Sequence, residues 1–240
     1  MSFVLLSVIR LTSIKQENNM DQIASHKSLA DKIQDFQDQL LPTIPEDTLN
    51  TMFSELRGLV ATGVAEKAIN TGDRLPAFNL PNADNETRSL SDFLSNGPVV
   101  VSFYRGAWCP YCNLEINALQ QRLPDIDAAG AQLVAISPQL PEKSVDQISN
   151  SHLGFEVLSD IGNLLAKQCG LVFTLPEALR PIYDAWEIDI PDHNGDSSFE
   201  LPIPATYIVD TAGKVRYAHV DMDYTKRLEP DIIIERLRTI

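Results

Sequence analysis

The chain has 240 residues, 44% of them hydrophobic, which is enough for one large domain or for a domain with a helical extension. Its 33 acidic against 19 basic side chains give a formal charge of -14, which repels phosphate backbones and anionic lipid surfaces and argues against nucleic acid or membrane as partner. Three cysteines are too few for a secreted disulfide framework, and two of them share one Cys-x-x-Cys, the usage of an intracellular redox protein and hence of the cytoplasm.

The opening run to Ser13 is apolar like a secretion signal, but no basic residue precedes it, Arg10 interrupts it and no small-x-small cleavage site follows. Translation starting at Met20 and a genuine short extension are both open readings. No later stretch approaches the ~18 consecutive apolar residues of a membrane span. From Ser28 to Leu41, Leu29, Ile33, Phe36, Leu40 and Leu41 recur at helical spacing and Pro42 closes the segment. A second amphipathic helix, capped by Asp47 or Thr48, carries Leu49, Met52, Phe53, Leu56, Leu59 and Val60 and runs to about Ala68. The apolar faces of this pair need a cover, either the domain behind them or the same helices of a second copy, which would make a homodimer.

A boundary falls at Asn70-Thr71-Gly72-Asp73, separating an extension (1–70) from the main domain (71–240). Beyond it strands and helices alternate. Phe78 to Leu80 is extended, Leu90 to Leu94 is a helical turn, and Val99 to Tyr104 is a β-branched and aromatic run suited to a buried central strand. A helix is predicted from Cys109 to about Ala129, with Leu114, Leu119 and Leu123 inward and a bend at Pro124. Then follow a strand at Gln132–Ile136, a helix at Pro141–Asn150, a strand at Phe155–Leu158 and a helix at Ile161–Gln168. Leu171 to Pro202, carrying Pro176, Pro181 and Pro191, reads as irregular. Ala205–Val209 and Lys214–His219 form a hairpin about the turn Asp210–Gly213, and Asp231–Leu237 is a closing helix. The order, β-α-β-α and then β-β-α, predicts parallel strands with right-handed crossovers and an antiparallel edge, an α/β fold of the thioredoxin arrangement with an insertion.

Chemistry concentrates at Cys109 and Cys112. A cysteine is nucleophilic as thiolate, and a helix N-terminus supplies unpaired N–H groups and a positive dipole that favour the anion. Cys109 falls at such a point, with Pro110 in the first turn, where its missing N–H costs nothing. Cys112 lies one turn on, within reach of a disulfide. Arg105 adds positive charge beside the pair, and Trp108, at the edge of the turn, shields the thiolate from water. A zinc site would need two more ligands, and only Cys169 and the scattered His26, His152, His193 and His219 are left to supply them. Cys169 reads as a small buried apolar side chain and the histidines as solvated or capping groups.

Three stretches resemble the peroxiredoxin-like branch of the alkyl hydroperoxide reductase/thiol-specific antioxidant family, within the thioredoxin superfamily. They are Gly72-Asp73-Arg74-Leu75-Pro76-Ala77-Phe78-Asn79-Leu80, then Phe103 through Cys112, and Pro204-Ala205-Thr206-Tyr207-Ile208-Val209-Asp210. The resemblance spans Gly72 to the C-terminus and implies a thioredoxin-like central sheet flanked by helices. It also implies thiol peroxidase activity on hydrogen peroxide or organic hydroperoxides, with recycling by a thioredoxin-like or glutathione-type reductant and no bound cofactor. The ordinary peroxiredoxin motif, Pro-x-x-x-Thr/Ser-x-x-Cys, would make Cys112 the peroxide-reducing residue, whereas the thioredoxin motif makes Cys109 the attacking thiol. Electrostatics favours Cys109, nearer the exposed helix end. The family's hydroxyl that orients peroxide is missing, as is its arginine near Pro204, which Arg105 is placed to replace. Pro204 is expected to be cis and to face the cysteines, and Thr206 either lines the site or is a plain strand residue. The Pro-Tyr between the cysteines is the glutaredoxin dipeptide and implies a potential above thioredoxin's. The same residues also fit a thiol-disulfide oxidoreductase acting on protein disulfides, and a redox-sensing protein whose leading helices hold a partner.

Overall fold

The computed structural model describes residues 27–240, so the expectations about the opening run, Met20 and His26 lie outside the described residues. Helix α1, Leu29–Leu40, is started by a reciprocal capping box between Ser28 and Asp31. The N–H groups of Leu29 and Ala30 donate to the Glu229 carboxylate at 3.0 and 2.7 Å, which ties the extension to the far end of the chain. Helix α2, Glu46–Ala61, follows Pro45 and stops short of the predicted Ala68. Gly63 takes a φ of +65° there, which ends the α-helix and leaves a short 3-10 turn at Val64–Lys67. Both helices pack on their own domain: Leu29 and Ile33 are buried, and Met52 and Leu59 lie against the core.

The domain is built on a five-stranded sheet in the order Glu156–Ser159 (β5), Gln132–Ser137 (β4), Val99–Phe103 (β3), Ala205–Val209 (β8), Val215–Val220 (β9). Strand β3 (Val99–Phe103) pairs in parallel with β4 (Gln132–Ser137), and β4 with β5 (Glu156–Ser159). Strand β8 (Ala205–Val209) runs antiparallel to β3 and to β9 (Val215–Val220). A small ladder, β1 (Asn79–Pro81) with β2 (Thr87–Ser89), precedes helix α3 (Leu90–Leu94). The sheet separates two apolar clusters. Val99, Val101 and Phe103 face one, while Val100 and Tyr104 face the other, against helix α4 (Pro110–Ala128) and the closing helix α9 (Pro230–Leu237). Helices α5 (Val145–Asn150) and α6 (Leu164–Gln168) are shorter than expected because a 3-10 turn opens each segment.

The stretch expected to be irregular is ordered. Strands β6 (Val172–Thr174) and β7 (Glu200–Pro202) pair antiparallel around helices α7 (Arg180–Ala185) and α8 (Ile190–Asn194). Its prolines start helices instead of breaking them: Pro181 and Pro191 occupy first-turn positions and Pro176 opens a 3-10 turn.

Candidate active site

Strand β3 ends at Phe103, and six residues, Tyr104 to Cys109, lead to the first residue of α4, Pro110. Gly106 permits this turn: its φ is +145°, and a Cβ there would sit 2.5 Å from Trp108 Nε1. Neighbouring side chains pin the loop. Ala107 N–H donates to Gln139 Oε1 at 2.8 Å, and Asn113 Nδ2 donates to the Ala107 carbonyl at 2.8 Å. Gln147 donates to Asn113 at 2.7 Å and accepts from the Tyr104 hydroxyl at 2.9 Å, so a continuous polar chain anchors the turn to the sheet.

Cys109 is the N-cap of α4. Its N–H donates to the Gly106 carbonyl at 3.1 Å, and its carbonyl accepts the first helical bond from Asn113 at 3.0 Å. Cys112 follows on the buried face with Tyr111, Glu115 and Ile116. Both are free thiols and both are 0% exposed. Cys109, expected nearer the exposed helix end, is as fully buried as Cys112. Aromatic rings close over the helix end: Tyr111 packs edge-on against Phe36 of α1 at 5.3 Å and against Tyr224 at 5.5 Å.

Charge separates the two sulfurs. Arg105 Nη2 donates to Cys109 Sγ at 3.0 Å and Nη1 donates to the Tyr183 hydroxyl at 3.1 Å. Its guanidinium lies 4.0 Å from the Tyr224 ring centroid and 5.1 Å from that of Trp108. Arg105 is 4% exposed, and the groups that most stabilise its charge among the described residues are the Cys109 and Cys112 sulfurs and the Tyr183 and Tyr224 phenols. A buried cation demands a counter-charge, and the Cys109 thiolate is the nearest candidate. Cys112 faces Arg227 Nη2 at 3.5 Å, but that arginine is already spent on Glu115, in an ion pair whose side chains are 1% and 4% exposed. Burial opposes ionisation of both thiols. At Cys109 the hydrogen bond from Cys112 and the Arg105 charge outweigh it and hold the pKa well below the usual thiol range. At Cys112 burial and the adjacent Cys109 thiolate push it well above that range.

The remaining expected residues fall as follows. Trp108 is half-buried, its ring 5.7 Å from Tyr183, at the rim of the Arg105 pocket. Pro204 is buried one step beyond the Phe103–Ala205 pair, at the cysteine end of the sheet. Its peptide bond is trans, contrary to expectation, and no cis bond occurs among the described residues. Ile203 N–H still donates to Leu171 O at 2.7 Å, so the chain runs extended from β7 into β8, as a trans bond allows. Thr206 lies between Ser102 and His219 in the sheet and makes no hydrogen bond to either sulfur among the described residues. Cys169 belongs to the cluster on the other face of the sheet, its thiol pushed up to about 12 by burial. His152 is exposed. His193 is half-buried and its pKa lowered by burial; His219, also half-buried, feels Glu115 and Arg227 and so departs from the solvated reading. No group of three or more His, Cys, Asp or Glu is disposed to hold a metal among the described residues.

Sequence reasoning missed Glu115, Arg227, Tyr183 and Tyr224. Glu115 did carry a signal, a carboxylate within the apolar stripe of a helix, which calls for a buried cation. Its partner lies 112 residues away in a loop, where no local pattern points to it.

Residues 71–218 match the model of the AhpC/TSA family. Peroxiredoxin Bcp of Escherichia coli (strain K12) is 32% identical over 170 residues, 71% of this chain and 96% of that protein. Among solved structures, peroxidoxin BcpB from Mycobacterium tuberculosis is 26% identical with a TM-score of 0.57, covering 72% of this chain and 98% of its own. Peroxiredoxin Q from Xanthomonas campestris shares the fold at 15% identity and a TM-score of 0.53, over 72% of this chain and 98% of its own.

Proposed function

Since the chain belongs to the AhpC/TSA family, we propose that it is a thiol-dependent peroxidase in which Cys109 is the attacking thiolate and Cys112 the resolving thiol. The observation that carries this reading is the Cys109 sulfur 3.0 Å from a buried guanidinium with no carboxylate paired to it among the described residues. The thiolate attacks the terminal oxygen of a hydroperoxide: the S–O bond forms, the O–O bond breaks, and the departing alkoxide or hydroxide takes a proton from water. Arg105 donates hydrogen bonds to the negative charge that develops on the oxygens. The sulfenic acid on Cys109 then condenses with the Cys112 thiol, water leaves, and a disulfide remains. An external dithiol of the thioredoxin or glutathione type returns both sulfurs to thiols by exchange.

The sealed position of the sulfurs supports a small substrate over a protein disulfide, which would have to bring its own backbone to Cys109. The test is peroxide consumption coupled to thioredoxin, together with dimedone trapping in each single-cysteine variant. Turnover in the wild type, with the label on Cys109 in Cys112→Ser, is expected. A label found on Cys112 alone, in Cys109→Ser, reverses the roles; insulin reduction without peroxide turnover would replace the reading with a disulfide oxidoreductase. No helix among the described residues is long and apolar enough to cross a membrane.

A further inference from the structure

Arg105 is buried, and no carboxylate pairs with it among the described residues. Its Nη2 donates to Cys109 Sγ at 3.0 Å and its Nη1 to the Tyr183 hydroxyl at 3.1 Å, while its Nε, also buried, has no hydrogen-bond partner among those residues. Beside the guanidinium lies a small cavity of about 20 Å³, partly open to solvent, bounded by Tyr183 and Tyr224 and by the apolar side chains of Leu56, Leu175, Leu179 and Met222. A space of that size takes one particle about as large as a water molecule. The cavity therefore joins apolar walls to one cation that keeps a donor to spare.

We infer that the oxidised protein binds one weakly hydrated monovalent anion of halide size against Arg105, where it replaces the charge of the Cys109 thiolate. The inference rests on the reading in which Cys109 and Cys112 close a disulfide, and extends it to a ligand of the oxidised state. In the reduced protein the thiolate already answers the guanidinium, and a second anion there would meet a like charge. Disulfide formation removes that charge: the two sulfurs give up two electrons, the S–S bond forms, and a cation among Tyr183, Tyr224 and Trp108 is left without its partner. A buried cation is costly until a counter-charge that fits comes to it. Sulfate and phosphate are too large for the cavity. Among the ions that fit, the walls set the order, because leucine and methionine offer nothing to replace the water around an anion. The ion that gives up its hydration most cheaply binds best, so bromide precedes chloride and chloride precedes fluoride. A ligand that binds the disulfide state alone also makes that disulfide harder to reduce, by the factor 1 + [X]/Kd, where X is the anion.

The experiment equilibrates the protein in glutathione redox buffers made up with sodium bromide, chloride or fluoride at one ionic strength. Glutathione disulfide takes the two electrons and leaves as two glutathione molecules, so no peroxide is involved. Replacing about 0.2 M fluoride by bromide is expected to make the Cys109–Cys112 disulfide about tenfold harder to reduce, with chloride in between. In Arg105→Gln the difference between the salts is expected to vanish. Urea midpoints give a second readout: the change from fluoride to bromide should favour the oxidised wild type over the reduced one, and the reduced form cancels general salt effects. A disulfide that forms but is equally reducible in all the salts overturns the inference and leaves the redox role of the two cysteines standing. So does a difference that survives in Arg105→Gln, or an equal response of both redox states. Failure of the disulfide to form at all sinks the resolving role of Cys112 and this inference with it. Should Arg105→Gln fail to fold, the wild-type comparison of redox states still decides.

Discussion

The Arg105 charge joins the Cys112 thiol in lowering the Cys109 pKa, and among the described residues no carboxylate pairs with that guanidinium. Arg105→Gln keeps hydrogen-bonding capacity but removes that charge. The pH midpoint for alkylation of Cys109 by iodoacetamide is expected to move up toward the ordinary thiol value near ~8.5. Peroxidase kcat/KM should fall about 10²-fold, the size of effect seen when one donor to a developing oxyanion is removed. An unchanged alkylation midpoint would show that the helix end alone holds the thiolate. The same lowered pKa has a thermodynamic consequence. In the unfolded chain this thiol keeps its proton up to about pH 8.5, whereas in the folded protein it loses it at lower pH. Between those two values the unfolded state binds more protons, so the contribution of Cys109 to stability grows as pH rises. It is complete above the unfolded value and lost as pH falls through the folded one. Cys112, raised, acts in the opposite sense only above the ordinary thiol range. Subtracting the urea midpoints of Cys109→Ser from those of the reduced wild type at each pH isolates this slope; a flat difference across the window counts against a Cys109 thiolate.

Helix α4 does two jobs with one face. Tyr111, Cys112, Ile116 and Leu119 point into the apolar cluster, and Glu115 sits among them because Arg227 meets it there. Arg227 also donates from Nε to the Tyr224 carbonyl at 2.8 Å, so the ion pair fixes the segment that lays the Tyr224 ring against Arg105. Glu115→Gln leaves Arg227 buried and unpaired, and is expected to cost about 3–5 kcal/mol in urea unfolding. Glu115→Gln combined with Arg227→Met removes both charges, and recovery of much of that loss is expected. If the single substitution costs as little as the double, the pair is not what orders this loop.

Across the whole molecule, oxidation changes a charge balance. In the proposed cycle, closing a Cys109–Cys112 disulfide would consume the thiolate that offsets Arg105, while Tyr183, Tyr224 and Trp108 enclose the guanidinium. A buried cation without a counter-charge costs several kcal/mol, so the aromatic cover is expected to loosen in the oxidised form and admit the reductant. Hydrogen exchange of the segments around Tyr183 and Tyr224 should be faster in the disulfide state than in the dithiol state. Equal protection in both would mean that the cover opens independently of redox state. Helix α1 takes part in this cover through Phe36 against Tyr111, and the Glu229 carboxylate just before α9 holds the start of α1.

What the sequence by itself determined is what short-range physics encodes. Val99 to Phe103 form a central strand because β-branched and aromatic side chains suit burial on both faces. Cys109 stands at a helix start because Pro110 fits the first turn, and Arg105 is beside it by simple adjacency. The family resemblance lay in those same local runs, and the family match over residues 71–218 bears it out. The tertiary structure alone decided the rest: the β6–β7 ladder, the trans bond before Pro204, the ion pair of Glu115 with Arg227, and the rings of Tyr183 and Tyr224 over Arg105. These contacts join residues as far as 112 positions apart. Periodicity and capping act over a few turns of chain, so they leave no mark of which distant side chain will arrive to neutralise a buried charge or close over a sulfur.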